Sequence, residues 1–415
     1  MATTTLPSAR APFVIPLIAV IIAGCLIAAI GNGVRTGFGL FTLPMTADLS
    51  LSRESWGMAM AIQNLAWGIA QPFAGAFADR VGTGRTLAFG ALVYAGGILL
   101  MAFSTTAGTM YLTAGVITGV AIAITSFSVV MAAFGRAVPS QKRSFIFGIA
   151  TAASSFGQFM FAPVSQGFIS AFGWQTALIW LAAIVVLILP LSLALRGRTE
   201  SVPGEADLPF MEALAKAWGH GSYRLLVIGF FVCGFHLAFI NVHMPAYLVQ
   251  CGLSPEIGSW AIAVIGLFNI VGSLLAGALG SRLPRQMLLA GIYFLRAVAI
   301  AAFVFLPVTA TTTYVFAAAM GLLWLSTVPL TAGLVSLFFG PRYMGMLYGM
   351  AFLSHQVGSF FGVWLGGYVF DQTGSYSLVW YLGVVLGLAS AAVHLPIAER
   401  LAPAFHLTAA KELHG

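Results

Sequence analysis

The sequence predicts an all-α membrane protein of twelve transmembrane helices in two six-helix bundles. Three observations carry that prediction: an apolar composition cut into helix-long segments, an alternating distribution of basic residues, and an internal similarity between the halves. Hydrophobic residues fill 60% of the 415 positions and charged residues only 7%. A soluble domain carries roughly three times that charge density, so the chain lacks the polar surface that would enclose a water-soluble core.

Crossing the hydrocarbon layer takes about 20 mostly apolar residues in a helix. Segments of that kind fall at 13–44, 55–78, 86–104, 108–133, 144–170 and 174–195, then at 224–249, 257–280, 286–307, 311–338, 344–370 and 376–398. Arg10 precedes a long apolar run with no small-residue cleavage site, which predicts a retained first span rather than a signal peptide.

Lys and Arg concentrate in the cytoplasmic connections of membrane proteins. On the twelve-span map, 15 of the 18 basic residues fall at the termini or in even-numbered connections. Arg53 alone lies in an odd-numbered connection, and Arg35 and Arg296 lie inside spans. One span too many or too few would swap the sides of every later connection and erase this order. The charges therefore check the count and predict an inner-membrane protein with both termini cytoplasmic. They also account for the net charge of +7 without a nucleic-acid partner.

The halves resemble each other at one offset. Gly75-Ala76-Phe77-Ala78-Asp79-Arg80 closes span two, and Gly277-Ala278-Leu279-Gly280-Ser281-Arg282 closes span eight. Gly157 to Gly173 in span five corresponds likewise to Gly358 to Gly374 in span eleven. Matches of this kind predict parallel repeats with a solute site between them. The division expected is 1–196 for the first bundle, 197–223 for a cytoplasmic linker holding Glu200, Glu205, Asp207 and Glu212, and 224–415 for the second bundle.

The segment Gly75-x-x-x-Asp79-Arg80-x-Gly82-x-x-Arg85 resembles the loop signature of the major facilitator superfamily, one residue longer at its end than the usual form. That resemblance implies the major facilitator fold, and a cytoplasmic latch built from Asp79, Arg80 and Arg85. Within the superfamily, Gly31 to Phe41, Ser55-Trp56 and the Pro72 region resemble monocarboxylate transporters and their bacterial relatives. Arg35 matches the lysine those proteins carry in the first span. In span eight Asn269 takes the acidic or amide position, but Ser273 replaces the usual arginine. Span four lacks the arginine of proton-coupled exporters and span five lacks the Gly-Pro motif of drug antiporters, both of which count against drug efflux.

Ionisable side chains within hydrocarbon need a reason of their own. No Asp or Glu falls inside a span away from its ends. Arg35, among Gly31, Gly33, Gly37 and Gly39, offers a permanently charged fork suited to a carboxylate, against the alternative of snorkelling to the interface. Arg296 in span nine is expected to lie away from the solute path, bonded to carbonyls or an amide.

His236 and His243 share a stripe of span seven with Phe239 and Tyr247, and Pro245 nearby frees a carbonyl. The resemblance places span seven on the cavity, so His236, His243 or His355 is a candidate for a coupled proton; the alternative is hydrogen bonding between helices. Candidate substrate contacts are Arg35, His236, Asn269, Trp324, His355 and Gln356. Asn64, Trp67, Gln71, Thr125, Ser126, Ser128, Ser326 and Thr327 are further wall residues, and Gly358, Gly362 and Gly366 form a packing ridge.

Cys25, Cys233 and Cys251 have neither disulfide nor metal-ligand spacing, and no phosphate-binding loop is present, so neither metal nor cofactor is expected. The expectation is a monomeric secondary carrier of a small organic anion, with proton symport or anion exchange as the coupling. The alternatives are a carrier of neutral or aromatic metabolites, an efflux pump, or, more distantly, a membrane enzyme or sensor.

Overall fold

The structure, a computed structural model, describes residues 16–197 and 210–402. Arg10, Arg198, Glu200, Glu205, Asp207 and Lys411 lie outside the described residues, as does the side chain of Arg342. Helix α1 runs over Leu17–Thr36 and continues through a 3-10 turn at Phe38–Phe41 into Thr42–Asp48. It is followed by α2 (Arg53–Val81), α3 (Thr83–Ala102), α4 (107–137), α5 (140–172) and α6 (174–195). A short helix at Phe210–Gly219 leads into α7 (Gly221–Gln250), α8 (Pro255–Gly280), α9 (Arg285–Phe305), α10 (310–339), α11 (341–373) and α12 (Ser377–His394).

Among the described residues, nine helical segments are long and apolar enough to span a bilayer by composition. One of them, Phe145–Leu195, contains both α5 and α6. The two helices absent from that set, α2 and α11, carry Gln63, Asn64 and Gln71, and Ser354, His355, Gln356 and Ser359. Their lower hydropathy follows from where they sit, since each faces the other bundle along most of its length. With α5 and α6 taken separately and α2 and α11 added, twelve long helices lie among the described residues, consistent with the expected count. The two joints without a polar loop fall at Gly173 (φ 77°, ψ 164°) and Gly340 (φ 79°, ψ 169°), where a side chain would be strained.

Two cores form. One gathers Phe41, Trp56, Tyr94 and Phe134 from α1–α6, with Ala238, Val242 and Val363 joining from the other half. The second gathers Tyr223, Phe230, Tyr293 and Trp380 from α7–α12, with Leu40 and Ala162 joining from the first half. Matched glycines set the closest packing inside each bundle. A side chain at Gly157 of α5 would run into the Ala29 carbonyl of α1, and one at Gly358 of α11 into the Phe231 carbonyl of α7.

Two helices are broken at matched positions near mid-membrane. In α4 the backbone leaves helical geometry at Thr125 and Ser126. In α10 the helix ends at Leu323 and restarts at Thr327. Such breaks free backbone groups that must find partners in the absence of water. In α10 they do: Leu325 N–H donates to Asn269 Oδ1 at 2.9 Å, Arg296 Nε donates to Leu323 O at 3.1 Å, and Arg296 Nη2 donates to the Leu323 and Trp324 carbonyls.

Candidate substrate site

Arg35 lies in the last turn of the first part of α1, facing α2. Its guanidinium carbon stands 4.8 Å from the centre of the Trp67 ring, and Nη2 donates to Asn32 Oδ1 at 3.3 Å. Asn32 donates in turn to Ser154 O of α5 at 3.1 Å, and Tyr94 O–H donates to Gly31 O at 3.3 Å. Among the described residues the ion pairs are Lys216–Glu212 and Arg285–Glu399, so no carboxylate neutralises Arg35. A guanidinium has five donors and no acceptor, and most of these remain for water or an anion.

One turn along α2 a polar chain continues from the same tryptophan. Trp67 Nε1 donates to Gln71 Oε1 at 2.8 Å, and Gln71 Nε2 donates to Ser126 Oγ at 3.0 Å and Ser128 Oγ at 2.6 Å. The two hydroxyls lie 2.9 Å apart at the break of α4.

The facing wall comes from α11 and α7. The Phe352 ring meets Trp67 edge-on at 5.2 Å and stacks on His355 at 5.7 Å. The Phe230 ring of α7 also lies 5.0 Å from His355. His355 Nδ1 is 3.0 Å from Gln356 Oε1, and Gln356 Nε2 donates across the halves to Asn64 O at 3.1 Å. Arg35, Trp67, Gln71, Ser126, Ser128, His355 and Gln356 thus meet at one place between the bundles.

The other expected contacts lie elsewhere. His236 is buried, with Nε2 2.8 Å from Gly383 O of α12, and His243 is fully buried, with Nε2 2.7 Å from Val363 O of α11. The stripe they share with Phe239 and Tyr247 packs on Tyr376 and Trp380, inside the second bundle. Helix α7 runs through Pro245 unbroken, and the Asn241 carbonyl this proline frees faces Gly39 of α1. Asn269 is fully buried and both ends of its amide are occupied, by Leu325 N–H and by Ser155 Oγ of α5 at 2.9 Å. Trp324 sits buried at the α10 break, with its carbonyl held by Arg296. Phe352 was not anticipated, although it lies one turn before His355 on the same helical face.

Asp79, Arg80 and Arg85 are exposed where α2 passes into α3. Asp79 lies within electrostatic reach of Arg136, which donates to Thr83 Oγ1. Gly82 takes φ 101° between α2 and α3, which explains the glycine in this loop.

At the opposite end the halves are drawn together. Arg53 N–H and Glu54 N–H, the first donors of α2, bond to the Asp371 carboxylate of α11 at 3.2 and 2.7 Å. The Arg53 guanidinium lies 3.6 Å from the Phe370 ring and donates to Tyr376 O–H at 3.0 Å, while Trp364 Nε1 donates to Glu54 Oε1 at 3.3 Å.

Twelve helices, two cores and a polar site between them are the architecture of a carrier, and the sequence profile of the Major Facilitator Superfamily matches residues 21–363. The chain belongs to that superfamily. It is 26% identical over 388 residues to the uncharacterized MFS-type transporter YcxA of Bacillus subtilis (strain 168), covering 88% of this chain and 92% of that protein. It is 25% identical over 372 residues to monocarboxylate transporter 13 of Rattus norvegicus, covering 88% and 85%. The nucleoside transporter NupG shares the fold at a TM-score of 0.74 with 14% identity, covering 91% of this chain and 99% of its own. A D-xylose-proton symporter does so at 0.70 with 16% identity, covering 92% and 97%. The chain is therefore a multi-pass membrane transporter of a small molecule rather than an enzyme.

Proposed function

We propose that this superfamily member carries a small organic anion, a monocarboxylate, across the inner membrane by alternating access. The observation that supports the anion most directly is Arg35: a permanent charge at mid-bundle, with free donors and no acidic partner among the described residues. The bundles 1–196 and 224–415 move as units about the central site, as a monomer, with both termini cytoplasmic. With that orientation the closed end is the outer one, so this conformer is inward-facing. Asp79, Arg80 and Arg85 then serve as the cytoplasmic latch when the inner end closes.

Coupling is by proton symport or anion exchange. Of the three histidines, His355 is the one in the site, beside Gln356; His236 and His243 stand behind the wall as reserve candidates. The aromatic lining from Trp67 and Phe352 favours, as a second reading, a carrier of neutral or aromatic metabolites.

Replacing Arg35 with Gln distinguishes the two. In proteoliposomes, Arg35→Gln lowers carboxylate uptake by at least tenfold at unchanged protein insertion, because a charge-assisted contact of about 1.5–3 kcal/mol is lost. Unchanged uptake by the Gln variant removes the anion site and leaves the neutral-metabolite reading.

A further inference from the structure

The anion reading leaves part of the site unused. Gln71 spends its amide completely: Oε1 accepts from Trp67, and Nε2 donates to both Ser126 and Ser128. The two serines have two O–H protons between them, and only one is used in the bond that joins them. One hydroxyl donor is therefore left over. Ser128 is exposed and Gln71 is only half-buried, although both belong to the middle of spanning helices. A polar group there is costly against lipid, so this cluster faces water or a solute.

The spacing between this cluster and the cation is set by α2. The guanidinium covers Trp67, and Gln71 is one turn further along, an advance of about 5.4 Å. Adding the reach of each side chain, the free guanidinium donors and the spare hydroxyl lie on the order of 10 Å apart. A hydrogen bond of about 2.8 Å at either end leaves about 4.4 Å between the carboxylate and hydroxyl oxygens, the span of about three carbons. A plain alkyl carboxylate of that length would leave the hydroxyl pair desolvated and unpaired, which binding sites penalise heavily.

We infer that Gln71, Ser126 and Ser128 form a hydroxyl-reading subsite, and that the substrate is a polyhydroxylated monocarboxylate, an aldonate-type sugar acid, with its carboxylate on Arg35 and the hydroxyl of its third carbon on the serine pair. This rests on the Arg35 anion reading and narrows it to one class of acid.

The test is calorimetric binding to the purified full-length protein, with D-gluconate and hexanoate as probes. Gluconate binds at least tenfold more tightly than hexanoate. Gln71→Leu reduces that preference about tenfold, and Ser128→Ala, a milder change at an exposed position that guards against misfolding of the first variant, reduces it several-fold. Arg35→Gln abolishes binding of both acids. Hexanoate binding as tightly as gluconate, or a preference unmoved in Ser128→Ala, overturns the subsite while the loss in Arg35→Gln still supports the anion reading. Gluconate binding that survives Arg35→Gln overturns both, and so does failure of both acids to bind the unaltered protein.

Discussion

Arg296 is fully buried in the membrane region, and its environment is supplied by backbone rather than by an acid. The break in α10 leaves the carbonyls of Leu323 and Trp324 without helical partners, and the guanidinium answers both while lying 5.3 Å from the Tyr293 ring. Removing it orphans two acceptors in a dry interior. We expect Arg296→Met to destabilise the protein by about 2–4 kcal/mol, and Arg296→Lys to recover only part, because an ammonium cannot fork. Thermal melting in detergent reads this directly; a Met variant that melts with the wild type would show that the carbonyls find other partners. An expected bond from Arg296 to backbone carbonyls was legible from a lone cation in an apolar span. Which carbonyls was not, because the break that frees them is marked in sequence only by Ser326-Thr327 and by Pro329 in the following first turn. Asn269 escaped for the same reason, since its role lies in bridging the break to Ser155 of the other half.

Whole helices were easier to foresee than the faces they present. All twelve were delimited in the sequence, α2 and α11 less sharply for their polar residues, and the extra turns in the structure are polar ends that stay helical, such as Arg53-Glu54 at the start of α2 and Asp371-Gln372-Thr373 at the end of α11. Orientation was harder. Helix α7 is buried on nearly every side, with 83% of its apolar window inside the protein, so its sequence has no single polar stripe to point at the cavity. Its histidines consequently face α11 and α12. Glycine ridges were more reliable guides, because a missing side chain marks close approach whatever the neighbour. At Gly157 the neighbour is the Ala29 carbonyl, two turns before Arg35 on α1. Gly157→Leu should force α1 from α5 at a cost of about 1–3 kcal/mol, and disturb the Asn32 to Ser154 bond that positions the cation. A melting curve together with carboxylate affinity measures both effects. Loss of stability without loss of affinity would detach the ridge from the site.

Across the whole molecule, the closed end carries a lock that no local pattern could reveal, because its partners are 318 positions apart in the chain. Arg53 stood out in sequence as the one basic residue in an odd-numbered connection, and the structure accounts for it: it holds Tyr376 and Phe370 while its own backbone N–H is capped by Asp371. A carboxylate at the first turn of a helix satisfies orphan donors and opposes the positive end of the dipole, together about 1–2 kcal/mol. Here the carboxylate and the helix belong to different bundles, so that energy stabilises only the conformer in which this end is shut. In a carrier whose two conformers differ by a few kcal/mol, its loss shifts their ratio by roughly tenfold. Asp371→Ala is therefore expected to favour opening. Spin labels on Ala47→Cys, in the last turn of α1, and on the exposed native Cys251, after α7, report the separation once Cys25 and Cys233 are replaced. The long-distance population should rise several-fold in Asp371→Ala and less in Asp371→Asn, which keeps a capping oxygen without the charge. Identical distance distributions in all three proteins would mean that the bundles are held shut by apolar packing around Val363 and Gly39 alone.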